Sequence, residues 1–187
     1  MALKIPYDKA TKCTGKAAPG TKALHDSILA NWKDSYSLGL YNCRSTRKNK
    51  NTRSLHSEGR AMDISFRKNV SERCKDLAEW ASKPEIATAY QIQEVIDYQR
   101  NRSWHGTVGA WKPYKGDGYK HVHIAQNWQG ANNGIPMPAV DTSVSTIASD
   151  DDDIDPNIDS ANDTPFVLAT LFVGLVAVGF FSIEIFS

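Results

Sequence analysis

Residues 165–187 are the part of this chain that most limits how the rest can fold. The run PFVLATLFVGLVAVGFFSIEIFS contains one charged residue, Glu184. About 20 apolar residues suffice to cross a bilayer, and a small domain rarely buries a helix that is apolar on every face. We therefore expect a transmembrane helix here, and a folded domain must be built from the residues before it.

Residues 136–164 have the composition of a linker. They are poor in aromatic residues and rich in Asp, Ser, Thr and Pro, which is typical of disordered segments. We therefore predict three parts: a domain at residues 1–135, an acidic disordered linker at 136–164 and the transmembrane helix at 165–187.

Charge is distributed unevenly along the chain. Residues 1–120 contain all 22 Lys and Arg together with 12 Asp and Glu, whereas residues 121–187 contain nine acidic residues and no Lys or Arg. A basic domain favours a polyanionic partner, such as a cell wall or nucleic acid. The alternative is a solvated basic surface that has no specific partner.

The pattern of apolar residues within the domain predicts both helices and strands. Apolar residues at helical spacing follow Thr21 and again Ser71, and each of these two residues could cap a helix. Short strand-like runs surround the two helices, at residues 38–42, 61–66, 91–98 and 121–126. Strands mixed with a few helices predict an α+β domain with a small antiparallel sheet and flanking helices.

The three cysteines, Cys13, Cys43 and Cys74, form no CxxC pair. This spacing argues against a thiolate zinc cluster and against a small domain held together mainly by disulfides. One disulfide with one free thiol and three buried thiols both remain open.

The segment SLHSEGRAMDIS, residues 54–65, is the first that carries chemistry. If residues 61–66 form a strand, Met62 and Ile64 face a core, while Asp63 points to the other side among small neighbours. His56 precedes this strand, and Gly59 lets the chain bend so that the imidazole can turn toward Asp63.

The second such segment is GYKHVHIAQNW, residues 118–128. On a strand, His121 and His123 point to the same side. A catalytic zinc site has three protein ligands and leaves the fourth position for water, and His56, Asp63 and one of these two histidines meet that count. Two alternatives are histidines buried in a core and a mononuclear iron site, since two His and one carboxylate also bind iron.

Together, these residues resemble a known superfamily of zinc peptidases. The pattern S-x-H-x-x-G-R-A-x-D followed by H-x-H is similar to that of lysostaphin-type enzymes, D-Ala-D-Ala metallopeptidases and the hedgehog domain. The similarity is strongest to the D-Ala-D-Ala carboxypeptidase and L-Ala-D-Glu endopeptidase branch, which includes many phage endolysins. It covers residues 20–130, where LGLYNCRSTR and QEVIDYQRNRSW add to it. The resemblance implies a hedgehog/DD-peptidase-like sheet and hydrolysis of peptidoglycan peptides.

The resemblance also implies roles for individual residues. His56, Asp63 and His123 match the zinc ligands, and His121 matches the residue that polarises the water or stabilises the tetrahedral intermediate. Many of these peptidases have Asp or Glu, as the general base, three residues before the last ligand, where this chain has Lys120.

We assign the role of general base to Asp117, which matches an acidic residue of the hedgehog-like arrangement. The alternative is a turn residue, because Asp117 lies between two glycines.

Substrate binding is predicted from the arginines near the first motif. Peptidoglycan stems carry free carboxylates, which Arg binds in a bidentate manner, and Arg44, Arg53 and Arg60 are the candidates unless they are ordinary surface residues. Trp104 and Trp111 could wall the cleft or belong to the core.

The sequence therefore predicts a zinc metallopeptidase that hydrolyses a peptide bond in peptidoglycan stems, as an endolysin or a virion-associated enzyme of a phage. Its expected partners are a peptidoglycan peptide and the membrane, with the domain facing the cell wall. The main alternative is a non-catalytic zinc-binding module tethered to a membrane. Nucleic-acid binding is the least favoured reading of the basic charge.

Overall fold

The computed structural model describes residues 4–46, 49–115 and 119–133. The predicted linker at 136–164, the predicted transmembrane helix at 165–187 and Asp117 lie outside these ranges. Within them, no helix has the length and apolar character needed to cross a membrane.

The described residues form the α+β domain that the sequence predicts, with one six-stranded antiparallel sheet. The helices are α1 (Pro19–Asn31), a 3-10 helix (Leu55–Glu58), α2 (Val70–Ala81), α3 (Pro84–Tyr90) and α4 (Trp128–Asn133). The strands are β1 (Ser35–Gly39), β2 (Ala61–Phe66), β3 (Ile92–Asp97), β4 (Arg102–His105), β5 (Ala110–Pro113) and β6 (Val122–Gln126). Their order across the sheet is β1-β2-β6-β3-β4-β5, so β2 and β6 are neighbours although far apart in sequence.

Alternation along β2 separates the two faces of the sheet, as the sequence predicts. Met62 and Ile64 are fully buried in the main core with Ile124 of β6, on the side where α1 and α2 pack. Asp63 points the other way, into an open cleft. One strand therefore contributes to the core with one face and to the cleft with the other.

Strand β3 contains an irregularity that strict alternation does not predict. Ile92 and Val95 are three residues apart, yet both are fully buried in the main core. The pairing with β6 shifts its register between Ile92 and Glu94, as it does at a β-bulge. The extra residue brings Glu94 to the cleft face together with Ile96.

Both predicted helix caps are wrong, although both helices exist. Helix α1 begins at Pro19, upstream of Thr21, because proline at the first position has a backbone angle already suited to a helix. Helix α2 begins after Asn69, whose φ of 46° is left-handed, and Ser71 lies inside the helix. Strand β1 also starts earlier than the predicted run at 38–42.

The cysteines adopt the first of the two open arrangements. Cys13 and Cys43 form a disulfide that joins the segment before α1 to the loop after β1. Cys74 is free and buried in the core, and burial raises the pKa of its thiol to about 12.

Candidate metal centre

Three elements bring the predicted ligands together. Asp63 of β2 and His123 of β6 are directly opposite each other in the antiparallel register. His56 lies on the 3-10 helix just before β2. Gly59 ends that helix with a left-handed φ of 64°, and a Cβ there would lie 2.3 Å from the backbone oxygen of Lys16. Only glycine fits this turn, and the turn sets His56 beside the strand that follows.

The ligand-type atoms of the three residues converge on one point. His123 Nδ1 lies 2.9 Å from Asp63 Oδ1, and His56 Nε2 lies 3.2 Å from Asp63 Oδ2. The two ring nitrogens are 3.2 Å apart. Tetrahedral ligands at zinc-to-nitrogen distances of about 2.0–2.1 Å lie about 3.3 Å from one another. These distances fit a metal site, and the three residues could hold an ion.

The charges of the group are mutually dependent. Burial would raise the pKa of Asp63, but hydrogen bonds from His123 and His56 outweigh it and lower the pKa well below its usual range. Burial would lower the pKa of His123, but the hydrogen bond of this ring with Asp63 outweighs burial, and the pKa is raised. The buried carboxylate is thus ionised and attracts positive charge, which in this group comes from a histidine proton or from a cation.

Each histidine has an outer partner for the ring nitrogen that faces away from the group. His56 Nδ1 lies 3.2 Å from the backbone oxygen of Leu40, and His123 Nε2 lies 3.5 Å from Glu94 Oε1. Such partners fix the tautomer and the ring orientation of metal-binding histidines. With a metal ion bound, donation of the outer N–H would leave the unprotonated nitrogen of each ring toward the ion.

His121 lies immediately before β6 and borders the group. Its Nε2 is 3.7 Å from Asp63 Oδ1. The imidazole packs between two tyrosines, with ring centroids 4.5 Å from Tyr98 and 5.5 Å from Tyr119. His121 and His123 therefore reach the same carboxylate, as their alternation in the sequence predicts.

The group lies in a cleft of about 630 Å³. Basic side chains line part of this cleft, namely Lys9, Arg44 and Arg53, and tyrosines line other parts, namely Tyr7, Tyr98, Tyr114 and Tyr119. The charge of Arg44 acts on His123. Two of the three arginines predicted to bind substrate thus border the cleft.

Arg60, the third predicted arginine, is fully buried and does not line the cleft. Its guanidinium donates to Glu58 Oε2 at 2.7 and 2.9 Å, to the backbone oxygen of Gln126 at 3.0 Å and to that of Asp8 at 2.9 Å. Glu58 Oε1 in turn accepts the backbone N–H of Thr11. Arg60 joins the N-terminal segment, the His56 turn and the end of β6, and this position gives it no access to a substrate in the cleft.

Sequence reasoning missed the tyrosines and Glu94. Trp104 is buried in the core and Trp111 packs against it, so the walls of the cleft are formed by smaller aromatic residues. The signal for Glu94 is present in the run IQEVI, where apolar residues at 92, 95 and 96 break strict alternation and indicate a bulge. Asp117 lies outside the described residues, and its role as a base stays a prediction.

No curated protein and no solved structure matches this chain. Residues 13–125 match one family model, described as VldE, C-terminal domain. The matched stretch is more than half of the 187 residues and includes His56, Asp63 and His123. The chain therefore belongs to the VldE C-terminal domain family.

Proposed function

We propose that this chain is a zinc metallopeptidase that hydrolyses a peptide bond in the stem peptides of peptidoglycan. The observation that carries the proposal is the convergence of His56, Asp63 and His123 in an open, basic cleft. A hydrolase that acts on a polymer requires an open cleft beside its metal group, whereas a cluster that only stabilises the fold does not.

The choice of zinc rests on the ligand set. Two imidazole nitrogens and one carboxylate oxygen are typical of catalytic zinc sites, whereas structural zinc sites usually have four protein ligands. When bound, the ion supplies a Lewis acid and lowers the pKa of a water molecule to about 7. An iron site has the same ligand types, and metal analysis separates the two.

His121 is the described residue best suited to move a proton at this site. Its Nε2 lies at the edge of the group, 3.7 Å from Asp63 Oδ1. An imidazole is the side chain most often used for general acid–base catalysis near neutral pH. We assign His121 to proton transfer or to stabilisation of the oxyanion, with Asp117 as the proposed base.

The basic side of the cleft suits an anionic substrate. Arg44 is half-buried and Arg53 is exposed, and both line the cleft close to the metal group. Peptidoglycan stems carry free carboxylates, which guanidinium groups bind in bidentate geometry. Arg44 is the stronger candidate because its charge already acts on His123.

Two further features support an enzyme that works outside the cytoplasm. The Cys13–Cys43 disulfide is typical of proteins from oxidising compartments. The apolar residues 165–187 are long enough to span a bilayer, and the acidic residues 150–163 favour the side that faces the cell wall. The resemblance of the two motifs to cell-wall peptidases agrees with this location.

Digestion of purified peptidoglycan tests the function. The full chain in detergent is incubated with the polymer, and the released fragments are identified by mass spectrometry. We expect new amino and carboxyl termini in the stem peptides, loss of activity with a chelator and recovery on addition of zinc. His123→Ala is the inactive control, and His25→Gln, on α1, should behave as wild type. Zinc-loaded protein that releases no fragments would instead support the non-catalytic zinc module.

Cell fractionation tests the anchor separately. We expect the full chain in the membrane fraction, and we expect protease added to spheroplasts to digest its domain. Recovery in the soluble fraction would refute the anchor, and protection of the domain would refute its outward orientation.

A further inference from the structure

We propose that Glu94 is a positioning residue of the metal centre, holding the ring of His123 so that Nδ1 faces the metal. This inference rests on the proposed metal site and does not depend on the peptidase reaction. It assigns a role to a carboxylate that neither the ligand set nor the substrate-binding arginines include.

The bulge in β3 places Glu94 beside the metal group. Glu94 pairs with Ala125 of β6 on one side and with His105 of β4 on the other. Without the extra residue, Glu94 would share a face with Ile92, which is in the core. The bulge therefore converts a core-facing position into a cleft-facing one, next to the strand that carries His123.

The two nitrogens of His123 point to different partners. Nδ1 faces the group, at 2.9 Å from Asp63 Oδ1 and 3.2 Å from His56 Nε2. Nε2, on the other side of the ring, is 3.5 Å from Glu94 Oε1. With a metal at Nδ1, the ring proton would lie on Nε2, where the carboxylate of Glu94 could accept it.

Glu94 is itself held in place, as a positioning group must be. Its side chain is 13% exposed, and the hydroxyl of Tyr7 donates to Oε2 at 3.0 Å. His105 Nδ1 also approaches Oε2, at 3.9 Å. One carboxylate oxygen thus serves His123 while the other is fixed by the N-terminal segment and β4.

The same geometry argues against Glu94 as the general base. Glu94 approaches His123 from the nitrogen that faces away from the ligand group, so the imidazole ring lies between the carboxylate and that group. The backbone oxygen of Leu40 occupies the equivalent position behind His56. Both histidines therefore have an outer acceptor, one a carbonyl and one a carboxylate, and the carboxylate is the stronger acceptor.

Zinc affinity, measured by competition with a chromophoric chelator, tests the proposal. Loss of an outer partner of a metal-binding histidine typically weakens metal binding about 10- to 100-fold. We expect a loss in this range for Glu94→Ala and a smaller loss for Glu94→Gln, which keeps an acceptor oxygen but not the charge. Tyr7→Phe removes only the hydrogen bond to Glu94 Oε2, and it should reduce zinc affinity less than either Glu94 variant.

Glu72→Gln is the matched control, because it alters an exposed carboxylate on α2 that pairs with Arg100. Its zinc affinity should equal that of the wild type. A measurable loss in Glu94→Gln, smaller than that in Glu94→Ala, supports a positioning role. Glutamine has the size of glutamate, so a mere packing role would leave Glu94→Gln at the wild-type affinity. Wild-type zinc affinity in Glu94→Gln overturns the proposal, whether or not the alanine variant folds.

The experiment also separates this proposal from the proposed function. Wild-type protein that binds no zinc refutes the metal site and this inference with it. Wild-type protein that binds zinc but cleaves no peptidoglycan refutes the peptidase alone, and the affinities of the Glu94 variants still decide the role of Glu94.

Discussion

The two faces of the six-stranded sheet are held together in different ways. On the core face, Met62, Ile64 and Ile124 are fully buried among apolar side chains of the sheet and the helices. On the cleft face of the same strands, Asp63 and His123 are held by polar contacts to each other and to His56. Neighbouring residues on one strand can thus have separable roles, one in the stability of the core and one in the proposed metal site.

The largest expected effect is loss of the metal. His56→Ala and His123→Ala should each remove a ligand from a three-ligand site, and the purified variants should lack the one zinc per chain expected of wild type. Elemental analysis of the purified protein measures this, with His25→Gln as the histidine control on α1. Full zinc retention in both alanine variants would rule out the ligand assignment.

The next largest effect distinguishes Arg60 from Arg44, two arginines that the sequence predicts to bind substrate. Arg60→Ala leaves the buried carboxylate of Glu58 without its positively charged partner and should cost about 3–5 kcal/mol of unfolding free energy. Arg44→Ala should change that free energy by less than about 0.5 kcal/mol. Urea denaturation compares the two, and a small effect of Arg60→Ala would indicate that Glu58 finds another partner.

Truncation of a side chain on the core face should lower the stability of the fold without removing zinc from the site. Ile124→Ala, next to His123 but on the opposite face, should lower the free energy of unfolding by about 2–5 kcal/mol. The zinc content of the folded protein should stay at the wild-type level. If Ile124→Ala instead lost zinc while remaining as stable as wild type, the two faces would not be separable.

The smallest of these effects concerns proton transfer. His121→Ala should keep its zinc and lose about a hundredfold in turnover, as expected for removal of a general acid–base or oxyanion group. Asp117→Asn should lose a similar factor if Asp117 is the base. Wild-type turnover in Asp117→Asn would leave His121 as the stronger candidate, and zinc loss in His121→Ala would make His121 a ligand.

Local pattern predicted the parts of this molecule in which alternation is regular. β2 has the predicted bounds, because apolar and polar residues alternate strictly from Met62 to Phe66. The pairing of Asp63 with His123 follows from the neighbouring positions of two strands far apart in sequence. The ligand count joined Asp63 to one of two histidines, and the resemblance of the motifs selected His123.

The sequence pattern did not predict side chains whose positions depend on backbone groups far away in the sequence. The bulge that turns Glu94 toward the cleft is defined by its pairing with β6, and the burial of Arg60 depends on carbonyls at Asp8 and Gln126. A side chain of Arg is most often exposed, so nothing local distinguishes Arg60 from Arg44. The pairing of Cys13 with Cys43 likewise requires the fold, since three cysteines allow three pairings.

A metal ion held by Asp63 and His123, which are opposite each other in the sheet, would be a thermodynamic partner of folding. Its ligands come from two adjacent strands and from the turn before one of them, so an unfolded chain cannot offer them together. Any ion that binds only the native state adds RT ln(1 + [metal]/Kd) to stability, about 2.7 kcal/mol when the free ion is at 100 times its Kd. Changes in the metal supply would then alter the melting temperature of the domain, and the stability of the folded protein would depend on the same ion as its proposed chemistry.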